Sequence, residues 1–158
     1  MRRALFAFLF AACAAHAQQF PSKPVTLVVP FPAGGPSDAL GRVLAQALSG
    51  PLGQQVIVDN VGGAGGTLGA GKAAQARPDG YTIHLAHIGQ ATSVSLYRKL
   101  PYDPVEAFDT IGLVGEVPMT IVGRKDLAVK DIRELIDHIR ANKTNVSYAN
   151  GGTGSEAL

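Results

Sequence analysis

Val25-Thr26-Leu27-Val28-Val29 constrains this chain more than any other stretch. It is a run of β-branched residues and leucine without polar alternation. Such a run reads as a parallel strand buried on both faces. Parallel neighbours need a crossover, usually a helix, and the sequence supplies one. Pro30 stops the strand. Phe31-Pro32-Ala33-Gly34-Gly35-Pro36-Ser37-Asp38 is then a loop of turn formers. Leu40, Val43, Leu44, Ala47 and Leu48 recur at the spacing of a single helix stripe. Ser37 or Asp38 is placed to cap that helix, and Gly50-Pro51 to end it.

The unit repeats. Gln55 to Val58 predicts a second strand, Gly62 to Gly66 a glycine loop, and Thr67 to Ala76 a helix of small residues. After the turn Pro78-Asp79-Gly80, Tyr81 to Ala86 predicts a third strand and Gln90 to Tyr97 a third helix. Leu100 to Pro104 reads as extended. This alternation is the pattern of an α/β fold with a doubly wound sheet. Near Phe108 the pattern changes. Ile111 to Val114 and Met119 to Val122 predict strands, Asp131 to Ala141 a helix, and Val146 to Tyr148 a last strand. Ile132, Leu135, Ile136 and Ile139 share one helix face, and Asp131 with Glu134 has the spacing of a capping box. The expected organisation is a first α/β lobe over residues 18–108 and the start of a second, incomplete lobe over 109–158. A fragment and a truncated gene both fit the length of 158 residues.

Residues 1–17 read as a signal peptide. Arg2 and Arg3 precede the apolar stretch Ala4 to Ala15, and Ala15-His16-Ala17 places small residues where a signal peptidase reads. The stretch is shorter than the ~20 residues a helix needs to span a bilayer. Export to the periplasm with cleavage near Ala17 is the expectation; lipidation at Cys13 is the alternative. Cys13 is the only cysteine, so a disulfide framework or cysteine zinc site within one chain is excluded. The net charge is +2, from 14 basic and 12 acidic residues. Arg2 and Arg3 account for that excess, so the mature chain is balanced. That argues against a nucleic-acid partner, which needs a basic face.

Ligands of open α/β sheets bind beyond the carboxyl ends of the strands. Phe31 to Ser37, Gly62 to Thr67, His87 to Gln90 and Asn150 to Ser155 all follow expected strands. Glycine lets the main chain approach a ligand, and helix N-termini offer unpaired N–H groups. Together these loops describe a pocket for an anion held mostly by main chain. Taken singly, each also reads as an ordinary glycine turn. Asp38 either stabilises the helix start or holds waters or a ligand amine at the pocket floor.

Other chemistry fits poorly. Gly66-Thr67-Leu68-Gly69-Ala70-Gly71-Lys72-Ala73 matches the start of a phosphate loop, but Ala73 replaces the magnesium-binding Ser/Thr and the strand ends too early. Lys72 reads as a solvated helix lysine. His84 and His87 are three apart, so on a strand they face opposite sides and need a bend to share a metal. No metal and no cofactor is expected. His87, at the strand's end, remains a ligand candidate. No G-x-S-x-G elbow exists and no mature cysteine remains.

At these loops the chain resembles the Bug/TctC substrate-binding proteins, the extracytoplasmic receptors of tripartite tricarboxylate transporters. The resemblance lies in Pro21 to Pro24 leading to Val29 to Asp38, in Asp59-Asn60 before the glycine stretch, in Arg77-Pro78-Asp79-Gly80-Tyr81-Thr82, and in Leu96 to Asp103. It implies a periplasmic binding protein-like fold of two lobes, here with the second incomplete. It implies no enzyme activity but capture of a small carboxylate, such as a di- or tricarboxylate, an acidic amino acid or an aromatic acid. It implies delivery to membrane subunits of that transporter, by a receptor that is a monomer when full length. Ligand-facing positions carried over are Phe31, Pro32, Ala33, Gly34, Gly35, Asp38, Gly65, Gly66, Thr67, Asn150, Gly152, Thr153, Gly154 and Ser155. A His that the family often carries after the last glycine loop is absent from Glu156-Ala157-Leu158. The other readings are an exported α/β enzyme acting on an acyl or phosphoryl group, and a truncated remnant.

Overall fold

The computed structural model describes residues 20–116, 118, 120–147 and 149. The expected leader, including Cys13, lies outside them. The elements are β1 (Val25–Val29), α1 (Pro36–Leu52), β2 (Val56–Asn60), a 3-10 turn (Ala64–Gly66), α2 (Thr67–Ala74), β3 (Thr82–His84), α3 (Ile88–Leu96) and α4 (Ile132–Ala141).

The three strands form a parallel sheet in the order β2-β1-β3. Val25 pairs with Val56 and Val29 with Asn60; Val28 on its other side pairs with His84. β1 is thus central, as its unbroken apolar run requires. Leu27 is 1% exposed, and Val28 and Val29 are 0% exposed. Val25, Leu27 and Val29 meet Ala45, Val56 and Leu85, with Leu44, Leu48 and Leu52 of α1 packed around them. Each such side chain stabilises by about 1.5–3 kcal/mol when fully buried. The opposite face, which Val28 enters, is approached by α2. There the packing is backbone on backbone. A Cβ on Gly69 would stand 2.8 Å from Pro30 Cα and 2.8 Å from the Val61 carbonyl oxygen.

The chain passes from β1 to β2 on one side, then crosses back over β1 to β3. That reversal is a topological switch point, where a crevice opens beyond the strand ends.

Several expected boundaries move. α1 runs through Gly50-Pro51 to Leu52 and stops at Gly53, which is in the left-handed region at φ 61°. Pro51 lies inside the last turn, where it withholds one backbone N–H from the helix just before the chain leaves it. The start is capped by neither Ser37 nor Asp38: Gly35 is the cap residue and Pro36 occupies the first turn. β2 extends to Asn60, and β3 stops at His84 rather than Ala86. The strand expected at Ile111–Val114 does not form. Ile111 is 87% exposed and Leu113 79%, with no neighbouring strand among the described residues to pair with. Of Met119–Val122 and Val146–Tyr148, Met119 and Tyr148 lie outside the described residues, and the described remainder is not strand. α4 forms as expected. Asp131 Oδ1 accepts from the amides of Arg133 and Glu134, both at 2.9 Å. Glu134 reaches back to the Lys130 amide at 2.7 Å, one residue before the cap. Its stripe is largely uncovered among the described residues: Ile132, Ile136 and Ile139 are exposed.

Asp38 holds the loop after β1. It is buried, and its Oδ2 accepts from the Gly34 amide at 2.8 Å and from Arg42 Nε at 3.0 Å. The Gly34 amide first, then Arg42, pulls its pKa below the ordinary carboxylate value of 3.8. These bonds tie the loop after β1 to the first turn of α1.

Gly69→Ala should destabilise the protein. Alanine gains about 1 kcal/mol of helix propensity, but overpacking against rigid backbone costs about 1–3 kcal/mol. A lowered denaturation midpoint is the expected result; a raised one would mean α2 retreats without cost. Asp38→Asn should also lower the midpoint at neutral pH. A depressed carboxylate pKa stabilises above its unfolded value and loses that contribution as pH falls through the folded value. The gap between the Asp38→Asn variant and the parent should therefore narrow below pH 3.8, measured by urea denaturation across acid pH.

Candidate functional site

A small cavity opens at the switch point. Its lining comes from the end of β1 (Pro30), the start of α2 (Gly65, Gly66, Thr67), the end of β3 (His84), the start of α3 (His87, Gly89, Gln90) and Tyr102. It offers about 10 Å³, room for roughly one water molecule.

The glycine loop reaches this position through backbone only glycine adopts readily. Gly66 lies at φ 94°, and a Cβ there would stand 3.1 Å from His87 Nε2. The preceding turn is pinned at the Ala64 carbonyl, which accepts from Thr67 Oγ1 at 2.9 Å and from Tyr97 Oη at 2.7 Å. α2 therefore begins without a side-chain cap.

His87 caps α3. Its Nδ1 accepts from the Gly89 amide at 2.7 Å, and its ring packs on Phe31 with centroids 4.5 Å apart. His84 closes β3, with Nδ1 3.3 Å from the Val28 carbonyl and its ring 5.5 Å from that of Phe108. Burial lowers the His84 pKa below the ordinary imidazole range; the Val28 bond opposes this and the nearby His87 adds to it. His84 is thus neutral at pH 7. Gln90 Nε2 donates to the Pro104 carbonyl at 2.8 Å and ties α3 to the following segment. The Tyr102 hydroxyl is buried, which raises its pKa.

Among the described residues the lining is made of neutral side chains and glycines, with no Asp, Glu, Lys or Arg. Two helix starts converge on it, each with positive partial charge. Such a surface suits an anion held by dipoles.

The expected site residues divide. Gly65, Gly66, Thr67 and His87 line the cavity, and Phe31 stacks on His87. Pro32, Ala33 and Gly34 are exposed on the adjoining loop, and Gly35 caps α1. Asp38 is turned into its own loop. Asn150, Gly152, Thr153, Gly154 and Ser155 lie outside the described residues. His84 and His87 would diverge on a continuous strand, but β3 ends at His84, and both residues line one cavity. Among the described residues, no group of three His, Cys, Asp or Glu could hold a metal. Lys72 is held by Asp59 at 2.6 Å. Pro30, His84 and Tyr102 were missing from the expected set, and Gly89 and Gln90 were expected only as part of the loop His87 to Gln90. The Tyr102-Asp103 pair sat in a matched motif, but nothing in the local sequence says the segment folds back over the strand ends.

Comparison with known proteins gives a consistent result. The family model described as tripartite tricarboxylate transporter family receptor matches residues 40–158. A curated protein of Agrobacterium vitis, the UPF0065 protein in the TAR-I ttuE-ttuC' intergenic region, is 54% identical over 136 residues, covering 86% of this chain and 39% of that one. The solved structure of the periplasmic binding protein BugD is 47% identical with a TM-score of 0.78, over 86% of this chain and 46% of that one. MatC from Rhodopseudomonas palustris with bound malate is 38% identical with a TM-score of 0.75, over 80% of this chain and 44% of that one. This chain spans less than half the length of each of these proteins. Its fold is that of part of a periplasmic binding protein, an α/β lobe built on a parallel sheet. The chain belongs to the tripartite tricarboxylate transporter receptor (TctC) family.

Proposed function

We propose that the protein is an extracytoplasmic receptor that captures a small carboxylate and delivers it to membrane subunits of a tripartite tricarboxylate-type transporter. One observation carries this reading: the glycine turn before α2 and the start of α3 converge at the switch point on a cavity whose described lining holds no Asp, Glu, Lys or Arg. Residues 18–108 form the first lobe, and residues 109–158 begin the second. The ligand places one carboxylate against Gly65, Gly66, Thr67 and His87, with Phe31 to Gly35 at the rim; Asn150 to Ser155 stay ligand candidates from the sequence. The exposed Ile111, Leu113 and α4 stripe suit a segment that is covered once the second lobe is whole. The first 17 residues act as a cleavable leader. Similarity to MatC, solved with malate, supports a carboxylate as the ligand class. In this reading the site binds and releases its ligand unchanged.

Calorimetry on the full-length receptor with malate, citrate, glutamate and benzoate tests the reading. One of these should bind without added metal or nucleotide. Gly66→Val should abolish that binding, because a branched side chain at φ 94° collides with His87. Its melting transition, recorded alongside, separates lost binding from lost folding. Lys72→Ala should leave affinity within about twofold, since an exposed pair with Asp59 contributes about 0–1 kcal/mol and lies off the cavity. Binding lost in Lys72→Ala and kept in Gly66→Val would return the phosphate-loop reading.

A further inference from the structure

The two imidazoles at the cavity differ in how they can take a proton. The Val28 carbonyl beside His84 Nδ1 can only accept, so the ring proton sits on Nδ1 and the lone pair on Nε2. His87 is the reverse. Its Nδ1 accepts the Gly89 amide, so its ring proton sits on Nε2. A proton added to His87 must land on Nδ1 and break the cap of α3. A proton added to His84 lands on Nε2 and leaves the Val28 bond in place, strengthened by the charge.

The groups around the pair are few. Tyr102 lines the cavity from the following segment, and the ends of β1, α2 and α3 bring no Asp, Glu, Lys or Arg into it. On the flanking elements Asp38 pairs with Arg42, and Lys72 with Asp59. Asp103 is engaged by the amides of Val105 and Glu106. Burial first, and then the nearby His87, lowers the His84 pKa, and no anion among the described residues opposes them. The geometry points to proton-linked capture: a carboxylate settling at the starts of α2 and α3 draws a proton from solvent onto His84 Nε2, so binding tightens as pH falls. This rests on the carboxylate-receptor reading of the same site and adds its regulation.

An opposite charge within about 4–6 Å raises an imidazole pKa by about 1–3 units, and by reciprocity each unit is worth up to tenfold in affinity at low pH. The test is calorimetry on the full-length receptor at about pH 8 and about pH 6, spanning the ordinary imidazole value. The tightest binder among malate, citrate, glutamate and benzoate is used, in two buffers of different ionisation heat, corrected for the ligand's own protonation. Expected are an affinity gain of about fivefold or more at the lower pH and net proton uptake on binding. His84→Asn keeps a donor for Val28 but does not titrate; it should flatten the pH dependence and end the uptake. His87→Asn keeps an acceptor for Gly89 and should retain both, whatever its absolute affinity. Binding of the parent without pH dependence or uptake overturns the inference, as does uptake that survives His84→Asn. Failure of every carboxylate at both pH values sinks the receptor reading itself, and this inference with it.

Discussion

Burial of β1 on both faces is the constraint from which the rest of the lobe follows. A strand with Leu27, Val28 and Val29 all out of water must have a partner on each edge and a helix over each face. Two right-handed crossovers in opposite directions meet that demand, and together they create the reversal at β1. The site is a by-product of this solution. The loops leaving β1 and β3 and those entering α2 and α3 have nowhere else to meet.

The two helices cover β1 by different means. α1 packs Leu44, Leu48 and Leu52 around the core, and at Gly41 it comes close to the Val29 side chain. α2 lies backbone to backbone, with Gly69 against Pro30 and Val61. That approach brings the α2 N-terminus to the strand end, where its amides are of use. A helix held off by leucines would leave those amides several ångströms away. The glycine-rich sequence of α2 is therefore a packing requirement with a functional consequence, and its low helix propensity is offset by tertiary contact.

The site's electrostatics follow the same economy. Charges on the flanking elements are matched in pairs away from the cavity, Asp38 with Arg42 and Lys72 with Asp59. What remains at the floor is dipolar and neutral. Such a floor can stabilise an anion without the desolvation penalty of a buried cation. It also leaves the imidazoles as the groups able to change charge when the ligand arrives.

Period and composition sufficed to place β1, α1, α2 and α4, because each depends on a local pattern: an unbroken apolar run, a helical stripe, a capping aspartate. The glycine loops at the strand ends were legible for the same reason, and with them Gly65, Gly66 and Thr67. Tertiary structure decided what depends on partners. Ile111 to Val114 has the composition of a strand, yet a strand exists only where another can pair with it. Asp38 reads from the sequence as a cap, yet its Oδ2 takes the Gly34 amide and Arg42 while Gly35 occupies the cap position. His84 and His87 diverge by strand periodicity, and share one cavity only because β3 ends between them. Tyr102 joins that cavity through a fold-back that no local pattern records. Local patterns set which segments become strands or helices, whereas the convergence of side chains far apart in sequence is set by packing alone.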